Sequence, residues 1–257
     1  MMRVRDLRVT YGSRVVARVP ELDLEAGQVL GIAGESGSGK SQTALALMGL
    51  TKYSGGAVTG SIKLDDVELT ALSDREWRGI RGRRIAMILQ SPRAALNPTI
   101  TLGELFRRTL KLHGVPKADR YEQMEQALGE VVLEPRILDR YAHEVSGGQA
   151  QRFAIALVAA LRVDVLIADE PTSALDVTVQ SEVVDILRGL RERHGTALVF
   201  ISHDLAVIGE LADEVMVMRD GEVVEHGPAS RLLSAPSDEY TQALLEAVPV
   251  IGRGDGR

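Results

Sequence analysis

Cysteine is absent from the 257-residue chain, which excludes disulfide frameworks, thiolate metal sites and cysteine nucleophiles. No apolar run approaches the ~18–20 residues that span a bilayer. The opening Met1-Met2-Arg3-Val4-Arg5-Asp6-Leu7 lacks the apolar stretch of a secretion signal. A strong excess of one charge is missing too. Thirty Lys and Arg against 36 Asp and Glu give a formal charge of −6, so nothing draws the whole chain to nucleic acid or to an anionic bilayer. Internal repeats, low-complexity tracts and long linkers are also lacking. These absences lead to the expectation of a soluble intracellular protein with no nucleic-acid partner. What is present is an ordinary globular composition, 45% hydrophobic and 26% charged. The length holds one large domain or two small ones.

Strands and helices alternate along the chain. Residues 3–10 place Val4, Leu7 and Val9 as a half-buried strand would. Residues 28–33 form a short apolar run ending in a glycine-rich turn, and 42–50 read as a largely buried helix. Alternation over 62–69 predicts another strand, and Arg84 to Leu89 a more continuous apolar one. From Asn97 to Leu161 the pattern is a helical insertion, with Met124, Leu128, Val131 and Val132 expected on one helix face. Val183, Ile186, Leu187 and Leu190 share another face before Gly195, a helix-terminating position. Strands are expected at 164–168 and 196–202. A hairpin is expected where 214–218 and 222–225 flank Arg219-Asp220-Gly221. This order predicts a mainly parallel α/β sheet.

Gly34-Glu35-Ser36-Gly37-Ser38-Gly39-Lys40-Ser41 matches Gly-x-x-x-x-Gly-Lys-Ser, after an apolar strand and opening a helix. Its glycines let backbone N–H groups turn inward around phosphate oxygens, and the helix N-terminus adds partial positive charge. Lys40 would reach the β- and γ-phosphates and Ser41 would ligate Mg²⁺. A Gly/Ser turn ending by chance in Lys-Ser is the plainer alternative; the flanking strand and helix weigh against it. This protein is expected to bind a nucleoside triphosphate. Val165-Leu166-Ile167-Ala168-Asp169-Glu170 then puts two carboxylates at a strand end, where parallel sheets face their ligands. Asp169 would hold Mg²⁺ directly or through water. Glu170 would polarise the attacking water or take its proton. A second Gly turn, Ser146-Gly147-Gly148-Gln149, opens a helix-forming run and makes a second anion site. The economical reading is that it caps the γ-phosphate held by another copy or by a partner.

With these motifs the chain resembles the ATP-binding subunits of ABC transporters, from about Val4 to Pro249. The resemblance implies a P-loop NTPase (RecA-like) α/β core with an antiparallel β subdomain and a helical subdomain. It divides a single ATPase domain, 1–250, into a nucleotide-binding core with the β subdomain (1–90), a helical subdomain carrying the signature (91–161) and a returning core (162–230). A C-terminal tail would cover 231–257. It assigns adenine stacking to Tyr11 and nucleotide contact to the loop from Gly34 to Gln42. Gln90 would contact Mg²⁺ and the attacking water, Asp176 lies in the Ser173-Ala174-Leu175-Asp176 motif, and His203 would meet the γ-phosphate. Val145 departs mildly from the commoner Leu before the signature. The implied catalytic set is Glu170, His203 and Gln90, and the implied metal set Ser41, Gln90 and Asp169.

The family further implies a second ATPase subunit packed head to tail, two ATP molecules between them, two transmembrane permeases and an extracytoplasmic solute-binding protein. The chain would then sit as a peripheral protein on the cytoplasmic face of the membrane. Ser91-Pro92-Arg93-Ala94-Ala95-Leu96-Asn97-Pro98, Tyr141-Ala142-His143-Glu144 and Glu239-Tyr240-Thr241-Gln242-Ala243-Leu244-Leu245 with Ala247 and Pro249 resemble the oligopeptide, dipeptide and nickel import branch. That branch usually pairs two different ATPases, so a paralogue is the expected partner. Asp238-Glu239 replaces the branch's usual His-Pro. Arg93 and the lack of cysteines favour nickel or a metal–chelate as cargo, with peptide import as the alternative. Rival ATPases fit less well. Chromosome-organising relatives need a long coiled-coil insertion, translation factors need two such domains in one chain, and P-loop kinases lack the SGGQ and SALD motifs.

Overall fold

Three five-residue strands buried along their whole length, apolar except for Asp169 at the end of the second, make the centre of the molecule: β3 (Val29–Ala33), β7 (Val165–Asp169) and β8 (Ala197–Ile201). Burial on both faces is why they read as unbroken apolar runs rather than alternating ones. The computed structural model of the chain describes residues 1–173 and 175–247. Ala174 of the Ser-Ala-Leu-Asp motif, Pro249 of the tail match and the last ten residues of the expected tail, 248–257, lie outside the described residues.

Before β3 come β1 (Met2–Tyr11) and β2 (Arg14–Leu24); after it follow α1 (Lys40–Leu47), β4 (Ala57–Leu64), β5 (Val67–Glu68), α2 (Asp74–Ile80) and β6 (Ile85–Ile88). A helical stretch comes next: α3 (Pro92–Ala95), α4 (Leu102–Leu112), α5 (Arg120–Glu130) and α6 (Gly147–Leu161). After β7 run α7 (Val177–His194), β8, α8 (Leu205–Leu211), β9 (Glu214–Arg219), β10 (Glu222–Pro228), α9 (Ala229–Ser234) and α10 (Glu239–Glu246). Among the described residues the strands form one sheet in the order β5-β4-β1-β2-β10-β9-β3-β8-β7-β6.

The sheet changes character along its width. From β9 to β6 every neighbouring pair is parallel. On the other side β1 pairs antiparallel with both β2 and β4, and β5 with β4. The mainly parallel sheet expected from the sequence therefore describes only one half. Two apolar clusters fill the sheet's surroundings. One runs from β6 and β7 into α4, α5 and α6, where Phe106 and Phe153 meet edge to face at 5.7 Å between ring centres. The other fills the space between β1, β2, β4 and the α1 side of the core.

Four local readings are corrected. β2 was not anticipated, because Pro20 and Glu21 interrupt its inward positions Ala17, Val19, Leu22 and Leu24. Pro20 falls outside the paired positions of the β1–β2 register, which passes from Arg5–Glu21 to Leu7–Val19, and β2 meets β10 at a single residue pair, so the missing donor interrupts neither ladder. The strand expected at 62–69 is instead β4, a turn at Asp65-Asp66, the short β5 and a 3-10 turn over Leu69–Ala71. The helix expected at 42–50 begins at Lys40 and ends at Leu47. Val132 does not share the face of Met124, Leu128 and Val131: α5 ends at Glu130, and Val132 turns out at φ 55° and is exposed.

The parallel half positions the site. β6, β3, β7 and β8 run the same way, so Ile88, Ala33, Asp169 and Ile201 end at one rim. Every motif that follows a core strand therefore emerges at the same edge, as ligand sites do in such sheets.

Candidate active site

The loop 34–41 turns on glycines that no other residue replaces without strain. Gly34, Gly37 and Gly39 have φ of 142°, 85° and 106°. A Cβ on Gly34 would lie 2.2 Å from the Met218 carbonyl oxygen, and one on Gly39 would lie 2.8 Å from that of Val16. The loop is thus pressed between β2 and the β9–β10 turn, and the Gly221 N–H donates to the Ser38 carbonyl at 3.1 Å. Lys40 is buried, and its ammonium donates to the carbonyls of Gly34 at 2.7 Å and Glu35 at 2.8 Å. Burial lowers the Lys40 pKa, against the opposing pull of Glu170, Asp169 and Glu35.

At the neighbouring strand ends the carboxylates converge on this loop. The Ser41 hydroxyl donates to Asp169 Oδ1 at 3.1 Å, across 128 residues of sequence. Burial raises the Asp169 pKa; the Ser41 hydrogen bond and Lys40 oppose this, and the Glu170 charge adds to it. Gln90, just beyond β6, donates through Nε2 to Glu170 Oε2 at 2.9 Å. His203 follows β8, and its Nδ1 stands 3.6 Å from Glu170 Oε1. Glu170 itself leaves β7 at φ 46°. Its N–H donates to the Ile201 carbonyl at 2.9 Å, and its own carbonyl accepts from the Ser173 hydroxyl at 2.9 Å. Gln90, Glu170 and His203 are therefore brought together, beside Ser41 and Asp169.

A cleft of about 450 Å³ opens here, lined by Ser36, Gly37, Gly39, Lys40, Ser41, Gln42, Gln90 and Glu170, with Arg14, Val15, Val16, Asp220 and Gly221 closing it from the β2 side. Nothing in the motifs points to the last five; only the fold carries β2 and the β9–β10 turn over the loop. Tyr11 ends β1, and its hydroxyl lies 2.9 Å from Gln42 Oε1 and 2.7 Å from Ser54 Oγ. Tyr240, read in the sequence only as part of the tail match, places its hydroxyl 3.0 Å from the Glu35 amide nitrogen.

Ser146, Gly147, Gly148, Gln149 and Asp176 do not line this cleft. Ser146 caps α6: the Gln149 N–H donates to its hydroxyl at 3.2 Å, and its own N–H donates to Gln149 Oε1 at 3.0 Å. Such reciprocal caps fix a helix start. Asp176 caps α7 in a similar way, accepting from the Val179 N–H at 3.0 Å. Gly148 seats α6 against α7, since a Cβ there would meet Val179 Cγ1 at 2.7 Å.

The residues fit a phosphate-bearing ligand with a hard cation. Among the described residues the Ser38 hydroxyl is buried with no hydrogen-bond partner, in a cradle that side chains on Gly34 and Gly39 would fill. One carboxylate and one hydroxyl suit Mg²⁺, which keeps most of its shell for water and phosphate oxygens.

Residues 18–173 match the family model described as "ABC transporter". The dipeptide transport ATP-binding protein DppD of Escherichia coli (strain K12) is 41% identical over 257 residues, covering 97% of this chain and 78% of that one. The glutathione import ATP-binding protein GsiA of Shigella flexneri is also 41% identical, over 271 residues, but the match takes in all of this chain and 43% of the relative. Among solved structures, a dimeric ATP-binding cassette in a post-hydrolysis state with ADP and Pi is 26% identical. It superposes with a TM-score of 0.78 over 89% of this chain and 99% of that one. A cassette from Clostridium perfringens, part of an ABC transporter complex, shares the fold at TM-score 0.80 and 24% identity over 91% of this chain and 90% of its own. With the phosphate loop, the paired carboxylates and the signature turn all in register, the chain belongs to the ATP-binding subunits of the ABC transporter family.

Proposed function

We propose that the chain is the ATP-hydrolysing subunit of an ABC importer for peptide-like solutes. The observation that carries the catalytic part is the setting of Glu170. Gln90 and His203 flank it from two other strand ends, beside the loop and the Ser41–Asp169 pair. The amides of 36–41 and the Lys40 ammonium would hold the phosphates, while Tyr11 and Gln42 would hold the nucleoside end. Ser41, Asp169 and Gln90 would hold Mg²⁺, which when bound offsets phosphate charge. Glu170 orients a water and accepts its proton, and Gln90 keeps that carboxylate aimed. His203 stands on the open side, exposed enough to swing onto a phosphate oxygen. Ser146 to Gln149 and Asp176, lying outside the cleft, are offered to a second ATPase subunit whose own signature would close this site.

The cargo reading departs from the nickel type first favoured. The dipeptide and glutathione importers among the relatives support peptide import instead. Two permeases, a solute-binding protein and a paralogous ATPase are the proposed partners, and the cytoplasmic membrane face the proposed location.

The test is reconstitution with the permeases in vesicles. ATP turnover should rise with binding protein carrying a short peptide and not with one carrying a nickel chelate. Glu170→Gln should keep ATP bound while turnover falls about a hundred-fold or more. Unchanged hydrolysis in that variant removes Glu170 from its role, and stimulation by the nickel chelate alone reverses the cargo reading.

A further inference from the structure

The geometry points to Tyr240 as a positioning residue for the phosphate-binding loop, acting through the peptide that joins Gly34 to Glu35. This rests on reading that loop as the nucleotide site. The peptide is gripped at both ends. Its N–H, on Glu35, donates to the Tyr240 hydroxyl at 3.0 Å, and its C=O, on Gly34, accepts from Lys40 Nζ at 2.7 Å. Hydrogen bonds at opposite ends of one amide polarise each other and fix its plane. The plane in turn decides where the Gly34 carbonyl holds the ammonium, and so where Lys40 waits for a phosphate.

Tyr240 is itself held on several sides. The residue is 9% exposed, with the Arg219 guanidinium 4.9 Å from its ring centre. Its N–H donates to Asp238 Oδ1 at 2.9 Å, which caps α10. The buried Glu225 of β10 anchors the start of α10, accepting from the Ser237 N–H at 2.9 Å and the Asp238 N–H at 3.2 Å. Arg231 of α9 pairs with the same carboxylate at 3.2 Å. A tyrosine that served only as packing would gain nothing from its hydroxyl; here the oxygen meets a loop donor 205 residues away in sequence. α10 lies beyond residues 18–173 matched by the family model. It belongs to none of the phosphate motifs, yet it sets the loop that the central motif forms.

Tyr240→Phe removes the oxygen and keeps the ring and its Arg219 contact. In the full chain, ATP affinity without hydrolysis, ATP KM, kcat and Tm are measured for wild type, Tyr240→Phe and Lys40→Ala. Tyr240→Phe should weaken ATP binding and raise KM about two- to ten-fold, the size of one neutral hydrogen bond. Its kcat should stay within about two-fold, and its Tm should fall by no more than about 4 °C, the cost of the one hydrogen bond removed. Wild-type affinity in Tyr240→Phe, while Lys40→Ala loses nucleotide, overturns the inference and leaves the site reading standing. A loss of affinity accompanied by a Tm drop well beyond that of one hydrogen bond also overturns it, because that reduces Tyr240 to packing. Full nucleotide binding by Lys40→Ala would overturn the site reading itself.

Discussion

Glu170 shows what a single position costs and gains. A non-glycine residue at φ 46° costs about 1–2 kcal/mol. Hydrogen bonds from its own N–H to Ile201 and from Ser173 to its carbonyl hold the backbone there. The strained turn lifts the carboxylate off the strand axis towards Gln90 and His203, so the strain falls at the position proposed to act on water. Its neighbour Asp169 carries the opposite kind of burden. Burial raises the Asp169 pKa above its ordinary 3.8. Between the two values the folded chain binds more protons than the unfolded one, so stability falls as pH rises through that window. At neutral pH the ionised carboxylate is a net cost to the nucleotide-free fold. Asp169→Asn keeps an acceptor for Ser41 and removes that charge. Calorimetry at pH 7 should find the nucleotide-free variant higher in Tm than wild type. The gap should close as pH falls towards the Asp169 pKa, and Mg²⁺-dependent ATP binding should be lost. A variant no more stable than wild type at pH 7 would mean that the Ser41 and Lys40 contacts outweigh burial.

Elements are legible where one physical demand dominates. β3, β7 and β8 are buried on both faces, so their composition alone marks them. α7 buries Val183, Ile186, Leu187 and Leu190 at helical spacing and ends on Gly195 in the left-handed region, as its pattern predicts. β2 escapes notice because a strand with one largely open edge can carry Pro20 and surface charges. β4 is misframed because Asp65 turns at φ 51° inside what reads as one alternating run. The site divides the same way. Each motif is readable on its own, but the meeting of Gln90, Glu170 and His203 depends on strand order, and the Tyr240 contact depends on where α10 lands. The α6–α7 junction is a further case, since the sequence reading of Gly148 as a bare phosphate amide misses its packing. Ala is favoured over Gly within a helix by about 1 kcal/mol, yet the new Cβ would meet the stiff Val179 at 2.7 Å. Gly148→Ala should therefore tilt the signature end of α6 away from α7. ATP turnover is expected to fall about ten-fold or more, equivalent to about 1.4 kcal/mol of barrier, while ATP binding to the isolated subunit stays unchanged. Adding Val179→Ala should restore much of the turnover, because the two sites touch and their effects are not additive. No recovery in the double variant would assign the loss to the amide itself.

At the scale of the whole molecule the question is how motion in a partner reaches the ATP site. Among the described residues no helix is long and apolar enough to cross a membrane. Under the proposed function, attachment therefore falls to contacts with the permeases. Leu89 is the side chain best placed to make one. It stands 45% exposed immediately after Ile88, which is buried at the end of β6, and immediately before Gln90. One residue further along, the Gln90 amide holds Glu170, so under the proposed function pressure on this segment would act on the carboxylate that orients water. Beyond it, Arg93 of α3 donates to the His143 carbonyl at 2.9 Å, and His143 stacks on Tyr141 at 5.6 Å between ring centres. The Gln90 segment is thereby tied to the stretch that leads into the signature at Ser146. A permease loop seated on Leu89 would bear on both halves of the catalytic arrangement through packed, hydrogen-bonded parts. Leu89→Asp puts a charge on that contact without touching the cleft. Co-purification with the permeases should fall about ten-fold or more, the cost of burying an unpaired charge. ATP affinity and Tm of the isolated subunit should match wild type, because the substituted side chain is at the surface. If Leu89→Asp still brings down the permeases in full amount, the docking contact lies elsewhere, and the link through Gln90 loses its mechanical input.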